Sequence, residues 1–187
     1  MNRRDLVCNA VFGLAVLLSG IGIGHFVTES RAAGASLPRE ALITSAARTL
    51  GIKRCLPAIA AIGQRSVVGA TMQDIMLDWD RESPDTAPFF SFTGLGAGNQ
   101  RAAVTLVAIP GANAGCSVLV ERVSGSASSC AAVAANELPH YPATRLIDGI
   151  TIYQNPSQTS ETYALVNSGS GCVVIRRQTA FKWPPQR

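Results

Sequence analysis

The sequence predicts an α+β domain: N-terminal helices packed on a mostly antiparallel sheet of about six or seven strands, with one short inserted helix and disulfide bonds. Three observations predict it. Apolar residues recur at helical spacing before residue 70 and at alternate positions after it. Clusters of Gly, Ser, Asn and Pro divide the later part into runs of strand length. Four cysteines follow a segment that reads as an export signal.

Each element has its own signal. In "SLPREALITSAARTLG", Ser36 offers an N-cap and Pro38 suits a first helical turn. Leu42, Ala46 and Leu50 recur every fourth residue to give an apolar face, and Gly51 is a stop. Pro57 opens a second short helix in "CLPAIAAIG", with Cys55, Ile59 and Ile62 on one side. In "DIMLDWDRE" the period becomes two. Ile75, Leu77 and Trp79 point one way, while Met76, Asp78, Asp80 and Glu82 point the other, as in a half-buried strand. "FFSFTGL" (89–95) and "RAAVTLVAIP" (101–110) are strands joined by the glycine-rich "GLGAGN", and "CSVLVERV" is a fourth. "SCAAVAANELP" reads as a short helix ending at Pro139. "RLIDGITIYQN", "ETYALVNS" and "GCVVIRRQTAF" make a closing meander, with turn residues in "NPSQTS" and "NSGSG". No repeat of fixed period is present.

Residues 1–35 read as a signal peptide, and residues 36–187 as a single exported globular domain. Arg3 and Arg4 form a basic front, and an apolar run from Leu6 to Val27 follows. Ala33-Gly34-Ala35 has the form that signal peptidase reads, which places cleavage before Ser36. The run approaches the ~20 residues that span a bilayer, so an uncleaved membrane anchor is the alternative. Adjacent arginines also occur in twin-arginine signals, but a basic pair is common to export segments generally. Cys8 lies ahead of the apolar run, not behind it, which is the wrong place for a lipid-attachment cysteine. With its basic flank inside, the rest of the chain is periplasmic or secreted, or displayed outside the inner membrane if anchored.

Residues 36–187 carry 13 Lys and Arg against 10 Asp and Glu, a net of +3 with the charges scattered. A nucleic-acid binder would show a basic stripe with aromatics interleaved. The nearest approach, the tail "IRRQTAFKWPPQR", reads as a strand end with a solvated basic terminus. Nucleic acid is therefore not an expected partner.

Cys55, Cys116, Cys130 and Cys172 make an even set in an oxidising compartment, so two disulfides are expected. Zinc and thioredoxin-like redox chemistry would each want close pairs such as C-x-x-C, and these gaps are wide. A strand from Cys116 that turns at "SGSASS" would return Cys130 beside its start. The expected pairs are thus Cys116 with Cys130 and Cys55 with Cys172.

Catalytic signals are thin. Gly94, Gly96 and Gly98 precede a β-patterned run, whereas a phosphate loop needs a helix N-terminus there. No G-x-S-x-G elbow and no S-x-x-K is present, and His140, between two prolines, is the only imidazole after residue 35. The acids Asp74, Asp78, Asp80, Glu82 and Asp85 lack the loop pattern of a calcium site. Asp78, Asp80 and Glu82 read instead as a solvated face, a guard against stray strand pairing, or a surface for a basic partner. The expectation is a small exported non-enzymatic protein, without cofactor, that binds another protein or an envelope component as an inhibitor, immunity or accessory factor. The alternatives are an envelope hydrolase or metal-dependent enzyme near the acidic strand 74–85, and a membrane-anchored structural protein.

Overall fold

The structure is a computed structural model that describes residues 40–111 and 115–184. The segment read as an export signal, residues 1–35, lies outside the described residues, as do Ser36 and Pro38. Two helices come first, α1 (Leu42–Thr49) and α2 (Leu56–Ser66). Four strands follow: β1 (Met72–Trp79), β2 (Phe89–Ala97), β3 (Gln100–Pro110) and β4 (Cys116–Ser126). A third helix, α3 (Cys130–Glu137), leads into β5 (Ala143–Ile147), β6 (Ile150–Gln154), β7 (Glu161–Ser168) and β8 (Gly171–Trp183). All eight strands form one antiparallel sheet in the order β1-β2-β3-β4-β8-β7-β6-β5. The α+β class stands, with one strand more than the upper expectation of seven. The extra strand comes from "RLIDGITIYQN", which folds as a hairpin pairing Ile147 with Ile150. Asp148-Gly149 is the turn, with Gly149 at a φ of 76° that a side chain would resist.

The sheet is two meanders joined at the β4–β8 ladder, each led by a helix. Both disulfides obey this plan. Cys55, the N-cap of α2, bonds to Cys116 at the head of β4, and Cys130, the first residue of α3, bonds to Cys172 near the head of β8. Their Cα separations are 5.3 and 4.9 Å. The expected pairing of Cys116 with Cys130, and of Cys55 with Cys172, is therefore wrong. The reason is strand length: β4 runs on through "SGS" to Ser126, and at about 3.3 Å per residue its far end is roughly 30 Å from Cys116. The plan also amounts to a structural repeat that the sequence hides, because the two bridges span 61 and 42 residues.

In an antiparallel ladder directly opposed residues share a face. Followed across the registers, Cys116, Val118 and Val120 of β4 share one with Ala180 and Gln178 of β8, and then with Glu161, Tyr163 and Leu165 of β7. The three helices pack on that side. One core joins α1 and α2 to Phe89, Val104, Leu106 and Val118, and a smaller one joins Val133 and Leu138 to Leu165 and Cys172. In α1 the buried stripe is Ile43, Thr44 and Ala47, so Leu42, Ala46 and Leu50 are only half-buried and the expected face is rotated by about one position. Cys55, Ile59 and Ile62 are buried together as expected.

Candidate protein-binding face

Among the described residues, helices cover one face of the sheet and none covers the other. Its chemistry follows from β2. Phe89, Ser91, Thr93 and Leu95 turn toward the helices, so Phe90 and Phe92 turn outward. Ser91 and Thr93 are 3% and 1% exposed and their hydroxyls have no hydrogen-bond partner, while the two phenylalanines are 44% and 47% exposed. Over residues 90–93 that inverts the usual rule of apolar in and polar out, while Phe89 and Leu95 at either end obey it. A buried hydroxyl without a partner costs about 1–3 kcal/mol. The register leaves no choice, because the two-residue turn Gly98-Asn99 closes the β2–β3 hairpin at Ala97 and Gln100, with Gly98 at a φ of 53°. Opposite Phe92 stands Met76 of β1, and opposite Phe90 stands Val107 of β3, itself opposed to Leu119 of β4. Exposed Met72, Met76, Ile109 and Val123 belong to the same face. Its charged pair near the middle, Arg177 and Glu121 at 3.7 Å, neutralises itself.

The acidic stretch lies at the border of this face, in an arrangement different from the one expected. Asp74 and Asp78 alternate with Met72 and Met76 on the uncovered side of β1. Asp80 and Glu82 do not continue the row. The strand ends at Trp79, and the Asp80 carboxylate turns back to accept the N–H groups of Glu82 (2.8 Å) and Ser83 (3.2 Å). Asp85 accepts those of Lys53 (2.6 Å) and Arg54 (2.7 Å), bonds that hold its carboxyl below the usual range and tie this loop to the α1–α2 link. Among the described residues, no group of three or more His, Cys, Asp and Glu side chains is placed to hold a metal ion. His140 is exposed on the turn after α3.

Two further polar features lie on the helix-covered side. Glu161 is buried on β7, where it accepts from Arg176 (2.8 Å), Tyr163 (2.9 Å) and Asn155 (3.3 Å). Burial works to raise its carboxyl, but these donors outweigh it and the net shift is downward. Burial and the bond to Glu161 push Tyr163 up to about 12. Arg122, directly opposite Arg176, donates to the carbonyls of Ser66 (3.1 Å) and Val68 (3.2 Å) at the end of α2. A groove of about 680 Å³ opens beside it, lined by Arg101, Arg122, Ser124, Glu137 and Val174 among others. Both of its guanidinium groups are engaged, since Arg101 donates to the carbonyls of Gly98 and Gln100.

The sequence pointed to the acids and missed Phe90, Phe92 and Met76. The available signal was the phase of "FFSF", which places aromatic residues on both sides of one strand. Among the described residues no helix is long and apolar enough to cross a membrane, and the two disulfides fit an exported domain. No known protein family, curated protein or solved structure matches the chain at a significant level.

Proposed function

We propose that this chain is an exported, non-catalytic protein that binds another protein through the uncovered face of its sheet. The observation that carries the reading is the inversion on β2: Phe90 and Phe92 outside, unpaired Ser91 and Thr93 inside. The same phase buries Phe89 and Leu95, yet it leaves two unpaired hydroxyls inside and two aromatic rings outside, and departures of this kind concentrate where function requires them. Exposed aromatic and methionine side chains in one patch mark interaction surfaces. Asp74 and Asp78 within the patch, with Asp80 and Glu82 on the loop beside it, give the face an acidic border that would steer a basic partner. The test is a photo-crosslinking residue placed at Phe92 and, as a control, at exposed Arg65 on the outer side of α2. A discrete protein adduct in the cell envelope from position 92 and none from position 65 is the expected result. Adducts from position 65 alone, or from neither, would contradict the reading.

A further inference from the structure

We infer that the edge of β1, which no strand pairs among the described residues, accepts a strand from the partner, and that Asp74 restricts it to basic strands; this rests on the reading that the uncovered face binds protein. Hydrogen-bonded and non-hydrogen-bonded pairs alternate along an antiparallel ladder, and in a two-residue hairpin the closing pair is hydrogen-bonded. Ala97 and Gln100 are that pair. It follows that Leu95, Thr93 and Ser91 bond to β3 and that Gly96, Gly94, Phe92 and Phe90 bond to β1. The backbone groups of their partners Met72, Asp74, Met76 and Asp78 then point toward β2, so Gln73, Ile75, Leu77 and Trp79 present their backbone groups to the outer edge.

One of those edge groups is occupied. The N–H of Ile75 donates to the Asp74 carboxylate at 2.9 Å. A neutral strand adding here would break that charge-assisted bond and leave the carboxylate without its donor. A strand with Lys or Arg opposite Asp74 would supply the missing partner, and its own carbonyl would take the Ile75 N–H. Cross-strand neighbours are about 5 Å apart, within reach of such a pair. Asp78 is on the same face two positions beyond Met76, so the fitting segment carries basic residues four apart with an apolar residue midway. Two cations in the neighbouring segments are turned elsewhere: Arg101 to the turn carbonyls and Arg81 over the Trp79 ring at 5.4 Å.

The other edge of the sheet is built differently. β5 has five residues, follows Pro142, contains a register shift between Arg145 and Ile147, and carries the ion pair of Arg145 with Asp148. These are the devices that close an edge. β1 has eight residues, no proline and a continuous register with β2. A second copy of the chain is the wrong occupant for it, because pairing β1 with itself would bring four aspartates together.

The probe is the labelled peptide SKVLVKS, titrated by fluorescence anisotropy into the purified protein, beside SQVLVQS and SEVLVES. Binding of SKVLVKS at least tenfold tighter than of either counterpart is expected. So is a loss of about tenfold in the Asp74→Asn, Asp78→Asn double variant, with Asp148→Asn, an exposed acid at the opposite edge of the sheet, unchanged. Equal binding of the lysine and glutamine peptides, or an unaffected double variant, overturns the inference. So does a dimer by light scattering that the peptide cannot displace. If no peptide binds yet position 92 cross-links to a partner, the strand mode fails while the proposed function stands. If neither occurs, both fail.

Discussion

Cys55 at the head of α2 is bonded to Cys116 at the head of β4, and the second bridge repeats this relationship in the other half of the sheet. Each bridge locks a helix over the meander that follows it. Together they fix which face of the sheet is covered, and so which face is left open.

The pairing leads to the first prediction. Non-reducing peptide mapping should recover Cys55 with Cys116 and Cys130 with Cys172. Bridges closing 61 and 42 residues are each worth roughly 4 kcal/mol in the chain-entropy model. Replacing either pair by serines should lower stability by an amount of that order in denaturant titrations. An interleaved or nested pairing would break the two-meander plan.

The inversion on β2 can be tested by stability alone. Thr93→Val keeps the shape of the side chain and removes a buried hydroxyl without a partner. It should raise the unfolding free energy by about 1 kcal/mol. A loss of stability would mean that the hydroxyl is bonded in the native state.

Glu161 is a buried charged side chain at the start of β7. Glu161→Gln leaves Arg176 without its carboxylate and should cost about 2 kcal/mol, below the usual figure for a broken buried pair because Arg176 is part-exposed. The sign of the pH dependence follows from the lowered carboxyl. Its contribution is present above the unfolded value of about 4.3 and is lost as pH falls through the lower folded value. Wild-type stability should therefore drop below about pH 4 more steeply than that of the variant, as read by urea titration at successive pH values.

What the sequence revealed depended on whether the signal was local. The period change near residue 70 was legible because burial on one side of "DIMLDWDRE" writes itself into alternate residues. The helix at "SCAAVAANELP" was legible for a similar reason, and Ser129 caps it by accepting from Ala132 at 3.3 Å. The disulfide partners were not, because they depend on how far β4 runs before it ends. Nor was the row of acids: Asp80 satisfies its own loop, a choice that alternation cannot register. The candidate face was hidden for a third reason. In "FFSFT" either phase buries an aromatic residue, and only the turn at Gly98-Asn99, together with the helices on one side, decides that Ser91 goes in and Phe92 comes out.

The most direct test of the binding face is the affinity of the purified cross-linked partner for wild type and for the Phe90→Ser, Phe92→Ser double variant. Both side chains are half-exposed, so the melting temperature should fall by only a few degrees. Binding at least tenfold weaker is expected, because truncating buried aromatic anchors at an interface typically removes 2 kcal/mol or more. Unchanged affinity in a folded double variant would contradict it.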